Sequence, residues 1–330
     1  MRSSLAALCR SFEENREVIR NTFRWENAYI YPVCAAVFTD KRRRADAEEL
    51  RRCRDLLKGE TGIFSNFRGI TRAVVISLLC AGGSDEIRLQ RTLEVYGLLK
   101  NHFFISQYLP LTSVILADMV SPQRYAEVTA RTRKIYERMK KEHPFLTAGE
   151  DSVLAAMLAL SPLTDEEIVS ETERCYGILK EEFRPGNAVQ SLSHVLALGE
   201  GSPDEKCEKT ISLYRELKGR GIRYGTGYEL ATLGILALLP ADRRNVIEDL
   251  TETDRFLADG KGYGLLGVGK KQRLMHAAML VTSDYLGRDG NMVMNSAAAG
   301  SVISLVAAQQ AALCAAVAAS GAAVNSSASS

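Results

Sequence analysis

The chain has 330 residues, 46% apolar and 25% charged, enough for one large domain or two average ones with a substantial core. Its 42 basic and 40 acidic residues leave a formal net charge of +2, which excludes a general electrostatic attraction to nucleic acid or to an anionic membrane. The 7 cysteines are scattered and form no C-x-x-C pair, so they read as small buried hydrophobes in a reducing compartment rather than as disulfide or metal staples.

Residues 1–40 read as leading or capping helices. Only five apolar residues in a row, Leu5 to Cys9, precede Arg10. That run is too short for a signal-peptide core, so a cytoplasmic protein is expected. The stretch 14–38 resembles an incomplete first unit of the pattern described next and carries the only tryptophan, Trp25. The basic run 41–54 contains Asp46, Glu48 and Glu49, which helical spacing pairs with Arg51, Arg52 and Arg44. No aromatic residue is interleaved for base stacking, so a solvated helix face fits better than a nucleic-acid contact.

From 41 to 290 the chain is periodic. "VYGLLK" at 95–100 is nearly repeated as "CYGILK" at 175–180, and related phrases lie between and beyond them. Taking Arg54, Tyr96, Tyr136, Tyr176, Tyr214 and Asp254 as anchors, the steps are 42, 40, 40, 38 and 40 residues. The third residue after each anchor is always apolar: Leu57, Leu99, Met139, Leu179, Leu217 and Leu257. A period of this length marks stacked supersecondary units.

Each unit opens with a charged amphipathic helix, as in 165–183, and continues with a much more apolar one, as in 152–162, 192–199 and 230–240. Start signals recur at one phase: Ser121-Pro122, Thr164 with Glu167, and Ser202-Pro203 with Glu205. Pro162, Gly199 and Pro240 mark the ends. An apolar helix must be sheltered by its neighbours. The predicted fold is therefore all-α, six tandem helical hairpins of about forty residues stacked as a solenoid, with a closed α/α ring as the alternative.

Residues 260–273 carry the most suggestive local pattern. Gly262 to Gly267 matches G-x-G-x-x-G, and Gly264 to Lys270 matches G-x-x-x-x-G-K. The preceding segment reads as helix rather than strand, and Lys271 stands where a P-loop needs Ser or Thr. A standard nucleotide site is not expected; Lys270, Lys271 and Arg273 are candidates for weak anion binding. Of the four histidines, His102 and His143 follow first helices, while His194 and His276 interrupt apolar ones. The latter two are pocket candidates if an interior exists, against the plainer reading of hydrogen-bonded core histidines. No residues are grouped as a catalytic set, a metal site or a cofactor site.

Between Asn291 and Ser330 there is no charged residue. Residues 291–324 read as an Ala-rich helix, with Val302, Val306, Leu313, Val317 and Val324 on one side, and 325–330 as a disordered end. The segment is long enough for a membrane span, but Gln309–Gln310 would sit near its middle and no basic residue follows. Docking on the last unit, or a homodimer through 292–324, fits better.

The repeated Y-x-x-L-K phrases, "LSHVLALG" at 192–199, "RLMHAAMLVTSDY" at 273–285 and the alanine-rich tail resemble an uncharacterised bacterial family called domain of unknown function 4003. The resemblance spans most of the chain. It implies an all-helical protein and brings no activity and no catalytic residues with it. Extended concave surfaces are what such stacks present, so the expected function is a non-enzymatic scaffold binding a protein or peptide partner. One alternative is an enzyme with its pocket inside a ring, near the loops that join the two helices of a unit. The other is a membrane-associated scaffold anchored by residues 292–324.

Overall fold

The computed structural model describes residues 1–287 except Trp25, Asn27, Ser84, Asp85, Phe104, Ile105, Leu265 and Leu266. The expectations for Trp25 and for residues 291–330 therefore lie outside the described residues. Fourteen α-helices alternate in character along the described chain. The odd-numbered ones are charged and amphipathic: α1 (Ser3–Thr22), α3 (Ala47–Glu60), α5 (Glu86–His102), α7 (Tyr125–Glu142), α9 (Asp165–Leu179), α11 (Pro203–Gly219) and α13 (Arg243–Asp259). The even-numbered ones are apolar: α2 (Ile30–Asp40), α4 (Arg72–Ala81), α6 (Leu109–Met119), α8 (Ser152–Ala159), α10 (Asn187–Ala197), α12 (Leu230–Leu238) and α14 (Lys270–Leu286). Among the described residues there is no strand, only an isolated bridge between Tyr263 and Val268.

Every odd helix packs on the even helix that follows it. Each even helix also lies against the next even helix, from α2 to α14. In addition α14 contacts α1 and α2, and α13 contacts α1, so the first pair touches the last. The even helices are buried on almost every face: Val153 to Ala159 and Ala73 to Ala81 contain no exposed residue. Burying a Leu or Val side chain contributes about 1.5–3 kcal/mol, so these helices hold most of the core energy. The apolar position three after each anchor is buried in all six cases, from Leu57 to Leu257.

The anchor tyrosines have partners that the sequence did not name. Tyr96 packs edge-on against Phe67, Tyr136 against Phe103 and Tyr214 against Phe183, with ring centroids 4.8, 5.1 and 5.0 Å apart. Tyr176 lies tilted on His143 at 4.4 Å. In each case the partner ring follows the preceding odd helix, so the tyrosine joins one pair to the next.

The C-terminal carbonyls of the even helices receive cations from neighbouring segments. Arg43 donates to Cys80 O at 2.8 Å and Arg88 to Leu78 O at 2.7 Å. Arg131 donates to Ala159 O and Ser161 O at 2.9 and 3.0 Å, and Lys206 to Gly199 O at 2.9 Å. These bonds satisfy orphan carbonyls and place positive charge at the negative ends of the helix dipoles. Asp165 and Glu171 neutralise Arg131 and Lys206 in turn.

Helix starts follow the expected chemistry at Thr164 and Ser202, whose hydroxyls accept from Glu167 N and Glu205 N in capping boxes. Ser121 departs from it: its side chain makes no cap bond, because Pro122–Arg124 forms a 3-10 turn and α7 begins at Tyr125. The basic run also pairs differently. Asp46 caps α3 and Arg43 meets Glu49, both within the segment, while Arg44 reaches Glu14 on α1. The first pair is fuller than its sequence suggests, since α1 begins at Ser3 rather than near residue 14.

Polar contacts tie the first pair to the last. Arg42 donates to Ser283 O at 2.9 Å, and the Ser283 hydroxyl donates to Asp40 at 3.0 Å. Arg2 forms ion pairs with Asp249 and Asp284 at 2.8 and 2.9 Å and lies over the Tyr285 ring at 4.3 Å. None of the helices formed by the described residues is long and apolar enough to cross a membrane.

Candidate functional site

His194 and His276 sit inside the even helices α10 and α14, 2% and 1% exposed. Burial holds both imidazoles neutral, with pKa values pushed down to about 3. His276 Nδ1 meets the Tyr263 hydroxyl at 3.0 Å and its ring packs on Phe12. His194 Nδ1 is buried without a hydrogen-bond partner. The two lie on separate helices, and among the described residues no carboxylate is hydrogen-bonded to either ring.

The glycine-rich loop before α14 spends its backbone on itself. Gly262 and Gly264 adopt positive φ angles of 80° and 108°, which glycine alone accommodates readily. Val268 N donates to Gly262 O at 2.9 Å, Gly264 N to Val268 O at 3.3 Å and Gly267 N to Gly264 O at 3.1 Å. A phosphate cradle needs such N–H groups free. Lys270 and Lys271 are exposed on the first turn of α14. Arg273 is turned away from them into a bidentate pair with Asp254 at 2.7 and 3.1 Å. The three cations named from the sequence therefore do not converge.

The loops joining odd to even helices, and the first turns of the even helices, carry a row of polar contacts from one pair to the next. Asn66 donates to Ser106 O, and the Thr71 hydroxyl to Gln107 O, at 3.1 and 2.9 Å. Thr112 and Ser152 hydroxyls meet at 3.2 Å, and Gln190 donates to Thr147 at 2.8 Å. Within this row Asp151 is wholly buried at the start of α8. One of its oxygens accepts from Ala148 N at 2.8 Å, and the other has no partner. Desolvation, aided by Glu150, lifts its pKa to about 7 despite the Ala148 bond. Among the described residues no group of three or more His, Cys, Asp or Glu is arranged to hold a metal ion.

Two of the same loops also carry the most exposed aromatic side chains of the described residues. Phe64, between α3 and α4, is 95% exposed, and Phe145, between α7 and α8, is 99% exposed. Ile63 beside Phe64 is exposed as well. Next to them lies a cavity of 490 Å³ lined by residues including Ile63, Phe64, Leu93, Tyr96 and Lys100. Sequence reasoning passed over Phe64, Phe145 and Asp151. The available signal for the two aromatics was a Phe placed where a solvated loop needs none, in "GIFS" at 62–65 and "HPFL" at 143–146.

Paired α-helices with an apolar even set and an amphipathic odd set define an all-α protein. A profile for the family described as protein of unknown function (DUF4003) matches residues 15–311, and the chain belongs to that family. It is also similar to the uncharacterized protein YeaA of Bacillus subtilis (strain 168), 23% identical over 300 residues that cover 88% of each chain. No solved structure matches.

Proposed function

We propose that the helix pairs are copies of one unit closed into an α/α ring, and that the protein is a non-enzymatic scaffold for a protein or peptide partner. The ring is favoured over an open solenoid by the packing of α14 on α1 and α2, and of α13 on α1. The ion pair of Arg2 with Asp284 and the hydrogen bond from Arg42 to Ser283 O support it further. An open stack would leave its end helices without neighbours. Deleting residues 1–40 discriminates: a ring loses cooperative unfolding altogether, whereas an open stack keeps it at reduced stability.

The exposure of Phe64 and Phe145 carries the binding reading. Both sit on loops that lead from an odd to an even helix, so in the ring they share one end. An exposed aromatic ring with no intramolecular packing gains most by burial against a partner, and aromatic residues dominate binding hot spots. The six described cysteines are buried and free, in keeping with a cytoplasmic setting. A photo-crosslinking residue at position 64 or 145, introduced in the native cell, should trap one and the same protein. The same residue at Ile87, also exposed but beyond the opposite turn, should not. The purified partner should then lose at least tenfold affinity for the Phe64→Ala, Phe145→Ala double variant. Absence of a shared adduct, or unchanged affinity, overturns the reading.

A further inference from the structure

A second cavity, of 360 Å³, lies against α3 and the start of α4, lined by Arg54, Lys58, Arg68 and Arg72 over Leu57, Phe67 and Ile76. Its size suits a small-molecule ligand. Four cations line it against one lining carboxylate, Asp55, which pairs with Arg54 at 2.9 Å. Arg72 is neutralised from outside by Glu26. Among the described residues neither Lys58 nor Arg68 is in an ion pair, which leaves two cations of the lining open to an anion.

Arg68 is also held in place. Its Nη2 donates to Lys58 O and Thr61 O, both at 3.1 Å, while its buried Nε makes no hydrogen bond among the described residues. An oxyanion beside this guanidinium would accept a charge-assisted hydrogen bond. The floor is apolar: Phe67 and Ile76 are core residues.

We infer that this pocket binds a small phosphate monoester, its dianion on Lys58 and Arg68 and its organic body over Leu57, Phe67 and Ile76. A phosphate monoester carries about −1.5 to −2 charges near neutral pH, matching the two cations that form no ion pair. A monocarboxylate would leave one of them unmatched.

Isothermal titration of the full chain with phenyl phosphate, inorganic phosphate and benzyl alcohol tests the inference. Phenyl phosphate should bind with one-to-one saturation, more tightly than inorganic phosphate and more weakly as salt is raised, and benzyl alcohol should not bind. Arg68→Met should weaken phenyl phosphate about tenfold or more, the loss of one charge-assisted bond. Lys58→Met, at an exposed position that carries no folding role, should weaken it in the same direction, whereas Lys100→Met in the neighbouring cavity should leave it unchanged. Equal affinity for inorganic and phenyl phosphate overturns the organic ligand. No saturation by any phosphate, or wild-type affinity in both Arg68→Met and Lys58→Met, overturns the site.

Discussion

Asp151 offers the sharpest test of how burial sets chemistry in this protein. Its carboxyl lies wholly inside, with one oxygen bonded to Ala148 N and the other unpartnered, and its pKa rises from the ordinary 3.8 to about 7. The folded state thus holds the proton more tightly than the unfolded chain does. Stability from this group is complete below pH 4 and is lost as pH rises towards 7. Linkage puts the change between pH 5 and pH 8 at roughly 2 to 3 kcal/mol. His194 and His276 act in the opposite sense, because their folded pKa values are depressed to about 3 from 6.5. Their contribution is present above pH 6.5 and falls by roughly 2 kcal/mol each by pH 5. Wild-type stability alone would therefore mix the two effects, and the difference between wild type and Asp151→Asn separates them. The amide keeps an acceptor for Ala148 N but cannot titrate. It leaves a buried donor unpaired, at a cost of about 1–3 kcal/mol that does not vary with pH. Urea unfolding of both proteins at pH 5 and pH 8 should show the variant gaining roughly 2 to 3 kcal/mol relative to wild type at the higher pH. Parallel pH profiles for the two proteins would refute the assignment of that carboxyl as buried and proton-holding.

Replacing His194 with Gln removes one acid-sensitive group, so the loss of stability between pH 6.5 and 5 should shrink by roughly 2 kcal/mol in urea melts. Arg2→Met leaves Asp284 buried beside a missing cation, and should cost about 3–5 kcal/mol in the same assay. A change within 0.5 kcal/mol of zero, the usual span of a neutral surface substitution, would count against the tie between the first and last helix pairs. Leu179→Ala opens a cavity at a position with no exposed area and should cost about 2–5 kcal/mol. Thr164→Ala removes the cap of α9 and should cost about 1 kcal/mol, read as a lower thermal midpoint.

Much of the fold was legible before any coordinates. The charged and apolar helices, the phase that repeats about every forty residues, and the buried position after each anchor all follow from spacing within a single helix or hairpin. The caps at Thr164 and Ser202 were legible for the same reason, since a capping box spans only four residues. The local reading failed at two points. Arg44 bonds Glu14 on another helix, and Ser121 yields its place to a 3-10 turn. The anion and pocket candidates were named by residue type, yet Arg273 was already committed to Asp254 and the two histidines lie in separate helices.

Helix periodicity and the apolar or amphipathic character of each helix were determined by the sequence itself, because each depends on neighbours a few residues away. Only the tertiary structure decided that Arg42 meets Ser283, 241 residues distant, that Phe64 and Phe145 stand clear of any core, and that Arg68 is held beside Lys58 over an apolar floor. Those outcomes depend on which helices end up side by side. That is set by the summed packing of many pairs, and no short stretch of the chain encodes it.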